Sequence, residues 1–175
     1  LTQIQQALTL NPQHLASRLL AARLFTQRNE PLAAMEHVEY IIEQKPGTAE
    51  AYVLEAWSLF QLNRRDEAVT VLRDRIREQP DQPVTYPALA AMLRQMNQTD
   101  EAIRALRQGW ERMPTNRGLF EPLVLTLCET GKVDEAFSLA RRFSGDRPDL
   151  KSTVYLTELF MRGKIGKNEL CRLAG

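Results

Sequence analysis

The side chains best suited to chemistry are two histidines, two cysteines and a few adjacent carboxylates. A histidine catalyst or metal site needs a nucleophile or further ligands close by, and neither His14 nor His37 has them in sequence. Cys128 and Cys171 do not form a CxxC pair and have no metal-ligand spacing. HExxH, GxSxG and a phosphate-binding glycine loop are also missing from the sequence. We therefore expect no catalytic residue, no metal and no cofactor, and the chain is not predicted to be an enzyme.

The adjacent carboxylates have a structural explanation, because they recur in the same short pattern. An Asp-Glu-Ala triplet occurs three times, as Asp66-Glu67-Ala68, Asp100-Glu101-Ala102 and Asp134-Glu135-Ala136. A residue suited to left-handed backbone precedes each triplet by three positions, namely Asn63, Asn97 and Gly131, and Asn29 has the matching place before Ala34. Negative charge in the first turn of a helix complements the helix dipole. The pattern predicts one helix ending at each Asn or Gly and another starting at each Asp-Glu pair.

Evenly spaced prolines divide the whole chain into units. Consecutive members of this set are 34 residues apart: Pro12, Pro46, Pro80, Pro114 and Pro148. Because proline cannot continue a helix, each is expected to follow the second helix of a unit. The predicted organisation is a single solenoid domain with these parts: the second helix of a truncated leading repeat at 1–14, repeats at 15–48, 49–82, 83–116 and 117–150, and a degenerate partial repeat or cap at 151–175.

The apolar residues of each unit follow helical spacing, and the third unit shows this most completely. Its pattern is Tyr86, Leu89, Ala90, Leu93, Ala102, Leu106 and Pro114. A 34-residue helix-turn-helix unit with this pattern resembles the tetratricopeptide repeat (TPR). The resemblance implies an all-α fold, a right-handed superhelical solenoid of antiparallel helix pairs. In that fold the first helix of each pair, helix A, lines the concave face, and helix B lies outside.

Some residues depart from the repeat pattern. Arg18 and Glu55 stand at positions that are usually apolar, and Arg75 stands where helix B usually has a small residue. Pro87 is expected in the first turn of its helix, where the missing N–H costs little. Pro122 lies deeper and predicts a later helix start or a kink.

Helical geometry then names the lining of the concave groove. The predicted partner-binding residues are Arg23, Gln27, Val53, Trp57, Phe60, Gln61, Ala91, Arg94, Gln95 and Leu125. We hypothesise that Trp57 and Phe60 form an apolar pocket, while Arg23 and Arg94 hold acidic groups of a ligand. The alternative is that neighbouring helices cover both rings, which would make them ordinary core.

The composition narrows the class of partner. Hydrophobic residues make up 43% and charged residues 26% of the 175 residues, as in a soluble folded protein. A net charge of +1 argues against a nucleic-acid partner, because phosphate binding usually needs a basic excess. No apolar run is long enough for membrane insertion of this segment, which could be cytoplasmic or periplasmic. We therefore expect a protein-interaction scaffold or adaptor that binds a protein or peptide with acidic and apolar groups.

Two other functions are compatible with a helical repeat. One is RNA binding, as in the pentatricopeptide family, although those repeats favour a 35-residue period and a basic groove. The other is a regulatory or recruiting role for an enzyme outside this fragment, since the chain starts without Met and inside a predicted helix B. The apolar stripe of Ile4, Ala7 and Leu8 would then face a missing neighbour, which predicts self-association through the N-terminal end.

Overall fold

The computed structural model describes residues 2–144, and all regular structure in that range is helical. The predicted all-α class is therefore confirmed, while Pro148, Cys171 and the predicted unit at 151–175 lie outside the described residues. In chain order the helices in 2–144 are α1 Thr2–Leu10, α2 Leu15–Gln27, α3 Pro31–Gln44, α4 Ala49–Gln61, α5 Arg65–Glu78, α6 Thr85–Gln95, α7 Thr99–Arg112, α8 Arg117–Glu129 and α9 Val133–Ser144. The A helices are α2, α4, α6 and α8, and each is followed by its B helix.

The turn inside each helix pair has the predicted left-handed residue. The backbone φ angles are 60° at Asn29, 63° at Asn63, 61° at Asn97 and 75° at Gly131. The next residue donates its backbone N–H to a carbonyl five positions back in all four turns, as from Arg64 to Leu59 at 2.9 Å. This bond satisfies a carbonyl that the end of helix A would otherwise leave unpaired.

The B helices begin and end where the sequence predicts. Asp66 and Glu67 lie in the first turn of α5, and the other two Asp-Glu pairs lie in the first turns of α7 and α9. Pro46 and Pro80 each come two residues after a B helix ends, at Gln44 and Glu78. Acidic residues at the start and a proline after the end therefore delimit α5 and α7, whereas α3 has no acidic residue in its first turn and begins with Pro31.

Small residues let the two helices of a pair approach closely. The alanines that follow the turn, Ala34, Ala68, Ala102 and Ala136, are at most 1% exposed. The predicted stripes of α6 and α8 are also buried, with Leu89 and Leu93 at 4% and 1% exposure. The buried apolar residues form two clusters, a smaller one on α2, α3 and α4 and a larger one that runs from α4 to α9.

Aromatic rings accommodate the arginines that interrupt the apolar pattern. The Arg18 guanidinium lies 3.8 Å from the centre of the Tyr40 ring, and Nε of Arg18 donates to the Pro12 carbonyl at 2.7 Å. The Arg75 guanidinium lies 3.8 Å from the Tyr52 ring centre and forms an ion pair with Glu78. Stacking and ion pairing compensate the cost of burying these charges.

Of the two alternatives predicted for Pro122, a later helix start or a kink, the later start is wrong. Helix α8 begins at Arg117 and contains Pro122 in its interior, whereas Pro87 lies in the first turn of α6 as predicted. The turn ahead of Pro122 includes Leu119 and Phe120, which are 0% and 3% exposed. Burying both side chains in the core outweighs the loss of one helical hydrogen bond.

The A helices define the inner face of the solenoid. Each A helix packs on the next one, α2 on α4, α4 on α6 and α6 on α8, whereas the B helices of neighbouring pairs approach each other less closely. The stack therefore curves toward its A helices, which line the groove, and the B helices form the outer face. Within residues 2–144, no helix has both the length and the apolar character that a membrane span requires.

Candidate partner-binding groove

Helix α4, one of the A helices, carries two adjacent aromatic rings. The ring centres of Trp57 and Phe60 are 6.0 Å apart and meet edge to face at 69°. Both side chains pack against the core with one part and stay half-buried, neither fully covered nor fully exposed. An edge-to-face aromatic pair with an accessible surface offers a rigid apolar contact to a ligand.

The neighbouring A helices continue this apolar surface. Ala91 on α6 and Leu125 on α8 stand at the repeat position of Trp57, one and two units later, and both are half-buried. Val53, one turn before Trp57 on α4, is half-buried as well. Ala91 contributes only a methyl group. The helix that follows α4 therefore has no bulky side chain at the position that matches the Trp57 indole.

A cation that the sequence reasoning missed lies beside the aromatic pair. The Arg65 guanidinium lies 5.5 Å from the centre of the Phe60 ring, within the range of a cation–π contact. Arg65 begins α5 and is exposed. Its position could have been suspected from the turn geometry, because the first residue of helix B lies close to the end of helix A.

Both predicted groove arginines already have a carboxylate partner. Arg23 on α2 is 3.4 Å from Glu50 on α4, and Arg94 on α6 forms an ion pair and hydrogen bond with Glu129 on α8. Each pair joins two consecutive A helices. An acidic ligand group would therefore compete with Glu50 or Glu129 for its arginine. The partners are 27 residues apart in the first pair and 35 in the second, so only the Arg94–Glu129 pair has a spacing close to one repeat.

The predicted groove glutamines at the ends of the A helices, Gln27, Gln61 and Gln95, are of two kinds. Gln61 is half-buried, and its Nε2 donates to the backbone carbonyl of Thr26 at 2.7 Å, which ties α4 to the last turn of α2. Gln27 and Gln95 are exposed at the ends of α2 and α6. Gln61 therefore supports the groove, while the other two glutamines keep their amides accessible.

The histidines have structural positions outside the aromatic surface. His14 precedes α2, and its Nδ1 accepts from the Ser17 backbone N–H at 3.3 Å. His37 on α3 stacks on Phe25 with 5.6 Å between ring centres, and burial, followed by the charge of Arg18, lowers its pKa below 6.5. Within residues 2–144, no three His, Cys, Asp or Glu side chains are grouped in a way that could hold a metal.

The fold and the groove define a class of protein, a TPR-type helical-repeat scaffold. A family model described as "Psidin, N-terminal TPR repeats region" matches residues 26–143. The chain belongs to this family. Among curated protein sequences, none matches the chain significantly.

Several solved structures share the fold. A thermophilic TPR protein of Thermus thermophilus is 20% identical, with a TM-score of 0.68 over 91% of this chain and 88% of that one. YrrB, described as a TPR protein with an unusual peptide-binding site, is 17% identical, with a TM-score of 0.52 over 95% and 87% of the two chains. In a structure of Naa15/Naa10 bound to HypK-THB, the match is 13% identical with a TM-score of 0.65, over 86% of this chain and 23% of the other. These likenesses show the fold.

Proposed function

We propose that the chain is a protein-interaction scaffold that binds a segment of a partner protein in the groove lined by α2, α4, α6 and α8. The observation that carries the proposal is the half-buried aromatic pair of Trp57 and Phe60 on the A helix α4. Large aromatic side chains with accessible faces are the usual anchors of protein interfaces, because they bury much apolar area with few rotatable bonds.

The groove favours a partner with an apolar anchor. A side chain of the partner would pack on Trp57 and Phe60, beside Val53, Ala91 and Leu125. The amides of Gln27 and Gln95 would offer hydrogen bonds at the edge of the groove. YrrB, a protein of the same fold, is described as having a peptide-binding site, which supports a peptide segment as the kind of ligand.

Acidic groups of the partner have a secondary role in this proposal. They could reach Arg23 or Arg94 only by displacing Glu50 or Glu129. Replacing one carboxylate with another exchanges two similar interactions, so the net gain in affinity is small. The apolar contact therefore supplies most of the binding free energy.

The proposal is tested by capture of proteins from a lysate of the source organism, followed by mass spectrometry. The baits are the unmodified chain, a Trp57→Ala/Phe60→Ala variant and a Leu32→Ala control. Leu32 lies in the first turn of the B helix α3 and is 69% exposed, so the control removes an apolar side chain outside the groove. We expect a partner that the control retains and the groove variant loses, with an affinity at least about tenfold weaker in purified form. Equal capture by all three baits would contradict the proposal.

A second variant separates the acidic contribution from the apolar one. Glu129→Gln removes the carboxylate that competes for Arg94. If a partner carboxylate binds Arg94, this variant binds more tightly and an Arg94→Gln variant binds more weakly. If neither substitution changes affinity while Trp57→Ala/Phe60→Ala abolishes binding, the partner uses only the apolar anchor.

A further inference from the structure

The outer face has a basic depression between the B helices α5 and α7. Its volume is about 420 Å³. Buried apolar side chains form the floor, and longer polar side chains form the rim: Ile76, Leu89, Leu93 and Ala105 below, with Arg73, Arg77, Glu101, Arg104 and Gln108 above. Three arginines and one glutamate leave this lining with a formal charge of +2.

The arginines of this depression are only partly neutralised. Arg73 is 2.5 Å from Glu101, and Arg104 shares the same carboxylate at 3.9 Å. Arg77 is 3.1 Å from Asp74 on its own helix. The side chains of Arg77 and Arg104 are 78% and 70% exposed, so both can reach an external carboxylate.

The preceding interval, between α3 and α5, has the opposite charge. Thirty-four residues before the lining positions of the basic depression, the charged residues are Glu39, Glu43, Glu55, Glu67 and Asp74, of which Glu67 and Asp74 form ion pairs with Arg64 and Arg77. Glu39 and Glu43 correspond to Arg73 and Arg77, both are exposed, and neither forms an ion pair within residues 2–144. Burial, followed by the nearby charge of Glu39, raises the pKa of Glu55.

The outer face therefore has an acidic strip on α3, formed by Glu39 and Glu43, and a basic strip on the α7 side of α5, formed by the exposed Arg77 and Arg104. Consider a dimer whose two-fold axis lies in the plane of the contact, parallel to α5. Rotation about this axis places the α3 side of one copy over the α7 side of the other. A second copy placed by this axis would lay its acidic α3 strip on the basic α7 strip of the first, and its basic strip on the acidic one. Such a surface is self-complementary, as a two-fold interface requires.

We propose that this outer face binds a second copy of the chain, with α5 at the two-fold axis and Glu39 and Glu43 opposite Arg77 and Arg104 of the other copy. The occupant follows from charge complementarity, since the chain itself carries both halves of the match. The contact is mainly polar, so it is weak and sensitive to salt. It uses the B helices and leaves the groove between the A helices open.

The first test is sedimentation velocity of the full chain over a range of concentrations. We expect a monomer–dimer equilibrium whose dissociation constant rises at least about tenfold between about 50 mM and about 500 mM salt. A chain that stays monomeric at about 200 μM in the low-salt buffer overturns the proposal, because that concentration exceeds what a functional weak contact would need.

Charge reversal identifies the surface. One variant is Glu39→Arg/Glu43→Arg, and the other is Arg77→Glu/Arg104→Glu, with circular dichroism to verify helicity. Each variant alone should be monomeric, because like charges then face each other across the axis. Mixed in equal amounts, the two should form a heterodimer at the affinity of the unmodified chain or better, which native mass spectrometry detects by mass.

A control distinguishes this contact from association through the N-terminal end. Leu20, an apolar residue on α2 next to α1 in the stack, is 45% exposed. A Leu20→Glu variant should dimerise like the unmodified chain. If Leu20→Glu abolishes dimerisation and the charge reversals leave it unchanged, the contact lies at the N-terminal end. That result would overturn the proposal.

Discussion

The ring of Tyr86 lies against the backbone of α7 at Gly109, where an added Cβ atom would come 2.7 Å from Cγ of the tyrosine. The tyrosine is 0% exposed, and its hydroxyl donates to the Pro80 carbonyl at 2.6 Å. One side chain thus joins α6 to both α7 and the proline turn. The matching positions in the next hairpin hold Phe120 and Phe143, whose rings stack with 4.2 Å between centres.

Replacing Gly109 with alanine should therefore destabilise the protein. The clash is with the base of a buried ring, and overpacking of this kind costs about 1–3 kcal/mol. Alanine gains about 1 kcal/mol over glycine inside a helix, which offsets part of the cost. We expect a net loss of about 1 kcal/mol in the free energy of unfolding, measured by urea denaturation.

Two controls assign that loss to the tyrosine contact. Gly47→Ala should be nearly neutral, because its Cβ would meet only Nε2 of Gln79, at 3.8 Å. In a Tyr86→Leu background, Gly109→Ala should no longer be destabilising. A Gly109→Ala variant as stable as the unmodified chain would mean that the ring can move away at little cost.

The left-handed turn residues give a second prediction. Asn63 has a φ of 63° and an exposed side chain, so packing contributes little to any substitution there. Asn63→Ala should lower the melting temperature, because the left-handed conformation costs a residue with a Cβ about 1–2 kcal/mol. Asn63→Gly should leave it unchanged or raise it, since glycine adopts this conformation freely. Equal melting temperatures for the alanine and glycine variants would argue against backbone strain at this turn.

The half-buried carboxyl of Glu55 makes stability depend on pH. Burial and Glu39 raise its pKa above 4.5, and Arg75 partly opposes the shift. Between 4.5 and the raised pKa, the folded state holds a proton that the unfolded state releases, so this group lowers stability as pH rises through that window.

Comparison with Glu55→Gln isolates this effect from other titrating groups. At neutral pH, the glutamine variant should be more stable than the unmodified chain, because it carries no buried charge. The difference between their urea midpoints should shrink as the pH falls toward about 4.5. A glutamine variant that is less stable than the unmodified chain at neutral pH, with the gap closing as pH falls, would show that the folded state stabilises the ionised carboxylate.

The sequence predicts the helices and turns of this protein well because their signals are local. The φ of Asn63, the start of α5 at its Asp-Glu pair and the burial of Ala68 depend on residues within one unit. Pro122 shows where a local rule fails, since burial of the preceding turn keeps α8 helical around it. The course of α8 at Pro122 therefore depends on tertiary packing, which a local sequence rule does not include.

The groove is harder to predict because it depends on how neighbouring hairpins sit on one another. The sequence places Gln61 on the inner face but does not reveal that its amide binds the Thr26 carbonyl. It identifies Arg94 as a groove cation but does not show that Glu129, on the next A helix, is its partner. Such contacts depend on the rotation between units, which no single repeat encodes.

The most direct test of groove binding is site-specific photo-cross-linking in cells or lysate of the source organism. A photo-reactive benzoylphenylalanine replaces Ala91 on the inner face of α6 in one version, and Thr70, which is exposed on the outer helix α5, in the other. We predict an adduct with a partner protein from position 91 that the Trp57→Ala/Phe60→Ala substitutions abolish, and no such adduct from position 70. Adducts with the same protein from position 70 alone would contradict groove binding and place the partner on the outer face.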